Sequence, residues 1–245
     1  MKIIAIGDIH GRTKWKEVIK AEADCDKIIF MGDYFDTWDD FTPTHQLQNF
    51  LEIMNFKREN PDRVIALFGN HDYHYMEGVK DFYSGYQAAA RFDFQNALRE
   101  NRDLIQACYR WDNYLFTHAG VTYVWWKSLI DWFDDRGIDT KEMEVDEVIN
   151  LAAQFNLDIF KFTDGRHFDP HGNEVCQTPI WVRPEALMKA RLGEYFHVVG
   201  HTFGDPEVLT DGNPGGVIKI DALGLGYYLT IQDGDHTINR LEKPY

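Results

Sequence analysis

Three short runs repeat one pattern: "KIIAIG" (2–7), "KIIFMG" (27–32) and "RVIALFG" (63–69). Each is apolar and rich in β-branched residues, and each closes on a Gly that is followed at once by Asp8, Asp33 or Asn70. A short continuous apolar run bounded in this way reads as a strand buried on both faces. The segments between them, "TKWKEVIKAEA" (13–23) and "THQLQNFLEIMNFKREN" (44–60), have helical composition, with Thr44 a candidate N-cap after Pro43. Strand–helix–strand–helix–strand needs crossover connections, and so predicts a parallel sheet in an α/β fold.

Further along, residues 75–105 read as largely helical, and "NYLFTHAG" (113–120) as a strand with a polar end. Residues 121–165 are mostly helical in pattern and rich in Trp and acids, and 164–179 form a loop by composition. "YFHVVGHT" (195–202), "GVIKIDA" (216–222) and "YYLTIQDGDHTINRL" (227–241) are late strands, with Asp233-Gly234 as a hairpin turn. No repeat or linker divides the chain. We expect one domain over 1–245 with a cap or insertion at about 121–178.

Acids outnumber bases by 40 to 25, a formal charge of −15. So negative a surface repels polyanions, which argues against non-specific nucleic-acid binding and against anionic membranes. Bound cations can still invert the local field for a phosphorylated substrate. The three cysteines are odd in number and widely spaced, as in a reducing compartment. No apolar run approaches the ~18 residues of a membrane span, and the N-terminal apolar run is too short for a signal peptide. A soluble cytoplasmic protein is expected.

The polar residues that follow these strands form a set: "GDIHG", "GDYFD", "GNHD", "THAG" and "GHT". Sites in open α/β sheets form outside the carboxyl ends of strands, so five polar ends on one edge would converge. They bring Asp8, His10, Asp33, Asn70, His118 and His201. Mixed carboxylate, imidazole and amide oxygen suits Mn²⁺, Fe or Zn²⁺. Six donors are many for one ion with an open position, so two divalent ions sharing a carboxylate follow naturally, a clamp for attack on phosphorus. Each motif alone is weak, because Gly-Asp is common at strand ends and a lone His is more often structural. The ordered set of five is strong.

The series GD-x-HG, GD-x-x-D, GNHD, HAG and GHT resembles the calcineurin-like metallophosphoesterases, above all their phosphoprotein phosphatase branch and the small bacteriophage-type Ser/Thr phosphatases. It runs from residue 6 to about 204; residues 121–178 match nothing in it. The resemblance implies a four-layer α/β/β/α sandwich with a mostly helical insertion. It also implies two divalent ions, Mn²⁺ first, with Fe or Zn²⁺ as alternatives. Asp8 and His10 would hold one ion, Asp33 would bridge, and Asn70, His118 and His201 would complete the second site. His71 would be the general acid, oriented by Asp36, and a metal-bridging hydroxide the nucleophile. An imidazolium beside a carboxylate can protonate a leaving alkoxide near neutrality.

Two departures stand out. The phosphatase branch usually reads GD-x-x-DRG, with the Arg on phosphate; here Thr37 and then Trp38 follow Asp36. Arg183 in "PIWVRPE" and Arg12 after "GDIHG" are the replacement phosphate-binding candidates, with Arg91 and Arg166 behind them. Relatives of the nuclease and cyclic-nucleotide type read GH-x-H, whereas Phe203 stands in that place here. Asp72 is expected to support the ligands by hydrogen bonding.

Other conspicuous residues take the plainer reading. Trp125, Trp126, Trp132 and Phe133 sit at helical spacing and pack the insertion. His167 and His171 belong to a rim loop, and His45, His74, His197 and His236 are structural or exposed. Asp39 and Asp40 make a solvated turn. The leading function is hydrolysis of phosphomonoesters, phosphoserine and phosphothreonine among them. The first alternative is a nucleotide or dinucleotide polyphosphate hydrolase; the second is a metal-binding interaction module without catalysis. The partner is thus a phosphorylated small molecule, a nucleotide or a phosphoprotein.

Overall fold

The structure, a computed structural model, describes residues 1–165 and 169–242. The first half runs β1 (Lys2–Ile6), α1 (Trp15–Ala21), β2 (Lys27–Phe30), α2 (Pro43–Glu59), β3 (Val64–Leu67), α3 (Asn70–Tyr73) and α4 (Arg91–Glu100). It continues with β4 (Ile105–Gln106), β5 (Cys108–Trp111), β6 (Tyr114–Thr117), α5 (Tyr123–Asp134) and α6 (Val145–Phe155). The last part holds α7 (Pro184–Ala190), β7 (Phe196–Val199), β8 (Glu207–Leu209), β9 (Gly216–Lys219), β10 (Tyr227–Gln232) and β11 (Asp235–Arg240).

The strands build two mixed sheets, ordered β11-β10-β1-β2-β3-β4 and β5-β6-β7-β9-β8. In the first, β1 to β4 run parallel, while the β10–β11 hairpin lies antiparallel beside β1. In the second, β6, β7 and β9 run parallel between two antiparallel edges. Side chains alternate between the faces of a strand. Ile3, Ala5, Ile29, Met31, Ile65 and Leu67 therefore meet Tyr114, Phe116, Val198 and Ile218 between the sheets. Ile4, Ile6, Ile28 and Phe30 point the other way, into a cluster with Trp15, Val18, Phe50, Ile53, Phe94 and Leu98 of α1, α2 and α4. That cluster continues through Cys108 and Leu115 to the apolar faces of α5 and α6. On the second sheet Val199 and Val217 pack against Ala186 and Leu187 of α7. This is the four-layer α/β/β/α arrangement. It explains the unbroken apolar runs: both faces are covered, and each fully buried Ile or Phe contributes roughly 1.5–3 kcal/mol.

Four expectations are corrected. The polar strand ends do not lie on one sheet edge; three come from the first sheet and two from the second, and they meet because the sheets face each other. Within 75–105 only α4 and short 3₁₀ turns are helical. Gly78 and Gly85 break the first part at φ 92° and 89°, and past α4 the chain forms β4 and then β5, which returns as β6 through a tight hairpin. β8, absent from the sequence reading, forms the far edge of the second sheet. The cap of α2 is Thr42, whose Oγ1 accepts from His45 N at 3.2 Å, with Pro43 in the first turn. The β10–β11 turn follows expectation: Asp233 and Gly234 are both left-handed, at φ 54° and 90°. Among the described residues no helix is long and apolar enough to cross a membrane.

Candidate active site

Each parallel strand but the marginal β4 is followed by a polar residue at one place. Asp8 follows β1, Asp33 follows β2, and Asn70 opens α3 after β3. His118 follows β6, His201 follows β7, and Asp221 follows β9. The chain must turn sharply after each strand to present these groups. Among the described residues six non-glycines have positive φ; four are His10 (44°), Asp33 (53°), Asp36 (55°) and His201 (62°). Left-handed backbone at His carries a cost of about 1–3 kcal/mol, and such strain gathers where geometry serves a site. Two glycines make room: a Cβ on Gly69 would overlap Asp33 Oδ1 and the His118 ring, and one on Gly200 would overlap Asp8 Oδ1.

The three imidazoles share one arrangement. His10 Nδ1 lies 3.0 and 2.8 Å from the carbonyls of Phe35 and Asp36. His118 Nδ1 lies 2.9 Å from the Met31 carbonyl, and His201 Nε2 lies 3.0 Å from that of Trp181. A carbonyl only accepts, so that nitrogen carries the proton and the other presents its lone pair inward. The inward nitrogens face other acceptors. His118 Nε2 is 3.0 Å from Asn70 Oδ1 and 3.3 Å from Asp33 Oδ2; His201 Nδ1 is 2.8 Å from Asn70 Oδ1. His10 Nε2 is 3.7 Å from Asp33 Oδ2 and 3.9 Å from Asp8 Oδ2. Lone pairs converge on lone pairs, around a hollow that suits a cation.

The electrostatics agree. Burial, reinforced by Asp221 and Asp33, pushes the Asp8 carboxyl well above its ordinary range. Burial and the Asp33 charge bring Asp221 up to about 6, and Asp72 up to about 7. Burial lowers His10 to about 4 and takes His201 well below its usual value. Asp33 goes the other way: burial opposes its charge, but His118, His71 and His10 hold it far below the carboxylate range. Left to themselves, two of these donors are not in the state a cation needs: burial makes Asp8 resist its charge, and His118, burial notwithstanding, is raised toward its charged form by Asp33, whereas the lowered His10 and His201 already offer neutral imidazoles. Divalent ions on this donor set, two carboxylates, three imidazoles and an amide oxygen, remove the conflict. The residues fit such ions.

Beside this hollow stands a second group. His71 N donates to Asp33 Oδ1 at 2.8 Å, and His71 Nδ1 donates to Asp36 Oδ2 at 2.8 Å. Asp36 is fully buried; its Oδ1 accepts from Tyr75 Oη at 2.7 Å and Gln87 Nε2 at 3.1 Å. Burial disfavours the His71 imidazolium, but the Asp33 charge and the Asp36 hydrogen bond outweigh it and raise its pKa. Asp36 is held low, burial notwithstanding, by His71 and His74. His74 belongs here too: it is buried, and its Nε2 lies 2.8 Å from Asp36 Oδ2 without hydrogen-bond geometry. Asp72 supports the centre through backbone, accepting from Asp33 N (2.8 Å), Tyr34 N (2.8 Å) and Gly69 N (2.9 Å).

All six expected ligands come together, with His71 and Asp36 adjacent. Of the arginines, Arg183 and Arg12 line the same cavity of about 760 Å³. Arg183 donates to the carbonyls of His171 (2.8 Å) and His201 (3.1 Å) and to Thr202 Oγ1 (3.2 Å). Arg12 Nε donates to Asp39 Oδ2 at 2.9 Å, so Asp39, exposed in its bend, also has an ion-pair partner. Arg91 lies over the Phe82 ring and does not line the cavity. Arg166 and His167 lie outside the described residues. His45 Nε2 donates to the Gly11 carbonyl, His197 is buried at that of Leu192, and His236 packs on Tyr114, in keeping with structural roles. Trp125 and Phe133 are buried in the core, with Trp126 and Trp132 packed against it. Sequence reasoning missed Asp221, although "GVIKIDA" carries the same signal as the first two strands: a β-branched run that ends in Asp.

Comparison with known proteins bears on this geometry. A family model described as calcineurin-like phosphoesterase matches residues 1–208. A Saccharomyces cerevisiae protein serine/threonine phosphatase, described as similar to human phosphatase PP5, superimposes with a TM-score of 0.52 at 13% identity, over 100% of this chain and 81% of that one. A metallophosphoesterase from Sphaerobacter thermophilus aligns with a TM-score of 0.46 at 14% identity, over 99% of this chain and 88% of that one.

Proposed function

Because the chain belongs to the calcineurin-like phosphoesterase family, and so is a metal-dependent phosphoester hydrolase, we propose that it cleaves phosphomonoesters at the cavity between its two sheets. The observation that carries this is the common setting of three imidazoles. Each has one nitrogen tied to a backbone carbonyl, and the other turned toward Asp8, Asp33 or Asn70. Asp8, His10 and Asp33 would hold one divalent ion; Asp33, Asn70, His118 and His201 would hold the other. Mn²⁺ suits these donors, as do Fe and Zn²⁺. When bound, two such ions supply positive charge to the phosphate and a water acidic enough to attack phosphorus.

The protein's own groups do the rest. Arg183, anchored through carbonyls by Nε and Nη1, has Nη2 left for phosphate oxygens, and Arg12 lines the same cavity. Together they stand in for the arginine absent at Thr37. His71 holds a proton because Asp33 and Asp36 favour its charged form. As the P–O bond breaks, the electron pair stays on the ester oxygen, and His71 Nε2 gives it that proton; water supplies the hydroxyl that phosphorus gains, and its other proton replaces the one His71 gave up. Asp36 fixes the ring so that Nε2 faces the cavity. Segment 121–178 acts as a cap on a single domain spanning 1–245; Phe162, Asp164, Pro170 and His171 from it line the cavity. The test is turnover of p-nitrophenyl phosphate by the Mn²⁺-loaded protein beside His71→Asn on an alkyl phosphate. Turnover of both by the native protein, with alkyl activity lost in the variant, supports the reading. No turnover, or a variant equal to the native protein, refutes it.

A further inference from the structure

Trp38 is the first residue past the position where a phosphate-gripping arginine would stand, and it lies over the reacting groups. Its ring centroid is 5.3 Å from that of His10 at 84°, and 5.2 Å from that of His71 at 90°. Despite these neighbours, 66% of its surface is in water. The loop that carries it is pinned. Asp39 N donates to Thr37 Oγ1 at 3.0 Å, and the Asp39 carboxylate takes Arg12 Nε at 2.9 Å. Arg12 is itself held, its carbonyl accepting from Asn49 Nδ2 at 3.2 Å. An indole that meets His10 and His71 edge-on with most of its surface bare is open for a ligand to cover. Phe203, 65% exposed, lines the same cavity, as do Tyr83 and Trp181. The cavity, at about 760 Å³, is far larger than a phosphate alone needs.

The chemistry decides which part of a substrate meets Trp38. If His71 gives its proton to the ester oxygen, that oxygen lies within one hydrogen bond of His71, and the group attached to it continues past the ring beside His71. That ring is Trp38. On that reading of His71, the phosphate would face the expected ligands and the leaving group the indole. We propose that Trp38 is a specificity-determining residue that packs on the leaving group and selects phosphomonoesters carrying a flat aromatic ring close to the ester oxygen. This rests on the reading of His71 as the proton donor.

The test compares benzyl phosphate with cyclohexylmethyl phosphate, whose leaving alcohols are of similar size and acidity and differ in flatness. The native Mn²⁺-loaded protein is expected to favour the benzyl ester in kcat/KM by about twofold to tenfold, the scale of a ring–ring contact beyond simple burial. Trp38→Leu brings the ratio to about one, and Trp38→Phe, which keeps a ring, restores most of it. Hydrolysis of both esters at equal kcat/KM by the native protein, or a ratio unchanged in Trp38→Leu, overturns the role of Trp38 and leaves the hydrolase standing. Hydrolysis of neither overturns both.

Discussion

Asp36→Asn isolates the charge behind the proposed proton donor. Asparagine keeps the shape and tolerates the left-handed backbone that Asp36 adopts at φ 55°. Its amide oxygen can still accept from His71 Nδ1, so the ring stays oriented while the charge is lost. In the native protein burial works against the His71 imidazolium, and it survives through the Asp33 charge and the 2.8 Å bond to Asp36. A hydrogen bond to a charged group is worth about 1.5–3 kcal/mol. At 1.36 kcal/mol per decade that is about tenfold to about 150-fold in the protonated fraction where it limits the rate. The loss should fall on substrates that need a proton. Ethyl phosphate, with an alkoxide leaving group, should lose most of that factor in kcat/KM; p-nitrophenyl phosphate, whose phenolate leaves unaided, should lose about threefold or less. The pH profile adds a second readout. A raised His71 pKa keeps the acid form to higher pH, so native activity on ethyl phosphate declines as pH rises through that pKa. In Asp36→Asn the decline begins at lower pH. Equal losses on the two substrates, or an unmoved alkaline limb, would refute the assignment.

Three other outcomes follow from the same geometry. Without metal, Asp8 is raised by burial, Asp72 sits at about 7, and His71 and His118 are raised. The native state then binds more protons than the unfolded chain, so metal-free stability falls as pH rises through about 7. His10 and His201 pull the other way, only below their ordinary value of 6.5. Calorimetry should therefore show a larger Tm gain from Mn²⁺ above neutrality than near pH 6.5, and equal gains would count against it. Gly200→Ala pushes a methyl into the Asp8 carboxylate, and titration calorimetry should find Mn²⁺ bound about 10–100-fold more weakly; native affinity would contradict the packing. Arg183→Lys loses the carbonyl-anchored guanidinium whose Nη2 is left for phosphate, with kcat/KM on ethyl phosphate down about tenfold; an unchanged value would remove Arg183 from the site.

Much of the site was legible because its signal is local. A buried strand that ends in Gly and a donor is visible in "KIIAIGD" or "KIIFMGD" alone, and the structure brings those donors together. What could not be read depends on distant parts of the chain. Nothing in "RVIALFG" says which sheet it joins, so five ends that look like one edge divide between two facing sheets. The helix expected over 75–105 forms only from Arg91: Gly78 and Gly85 stand at positive φ, and Tyr75 and Gln87 both bond to the distant Asp36. His74 and Trp38 carry no pattern of their own; one lies beside Asp36 and the other beside His10 and His71, neighbours distant in sequence. The acidic stretch 31–40 divides in the same way. Asp33 faces His10 and His118, Asp36 holds His71, Asp39 pins Arg12, and Asp40 alone is simply exposed.

The central claim is that Asp33 joins two ions in one site, and electron paramagnetic resonance of the protein titrated with Mn²⁺ tests it most directly. Two ions about 3.5–4 Å apart are exchange-coupled. At two equivalents the account predicts a coupled multiline spectrum in place of the six-line signal of isolated Mn²⁺, lost in Asp33→Asn. An isolated-ion spectrum at full loading, or a coupled one that survives Asp33→Asn, would contradict it.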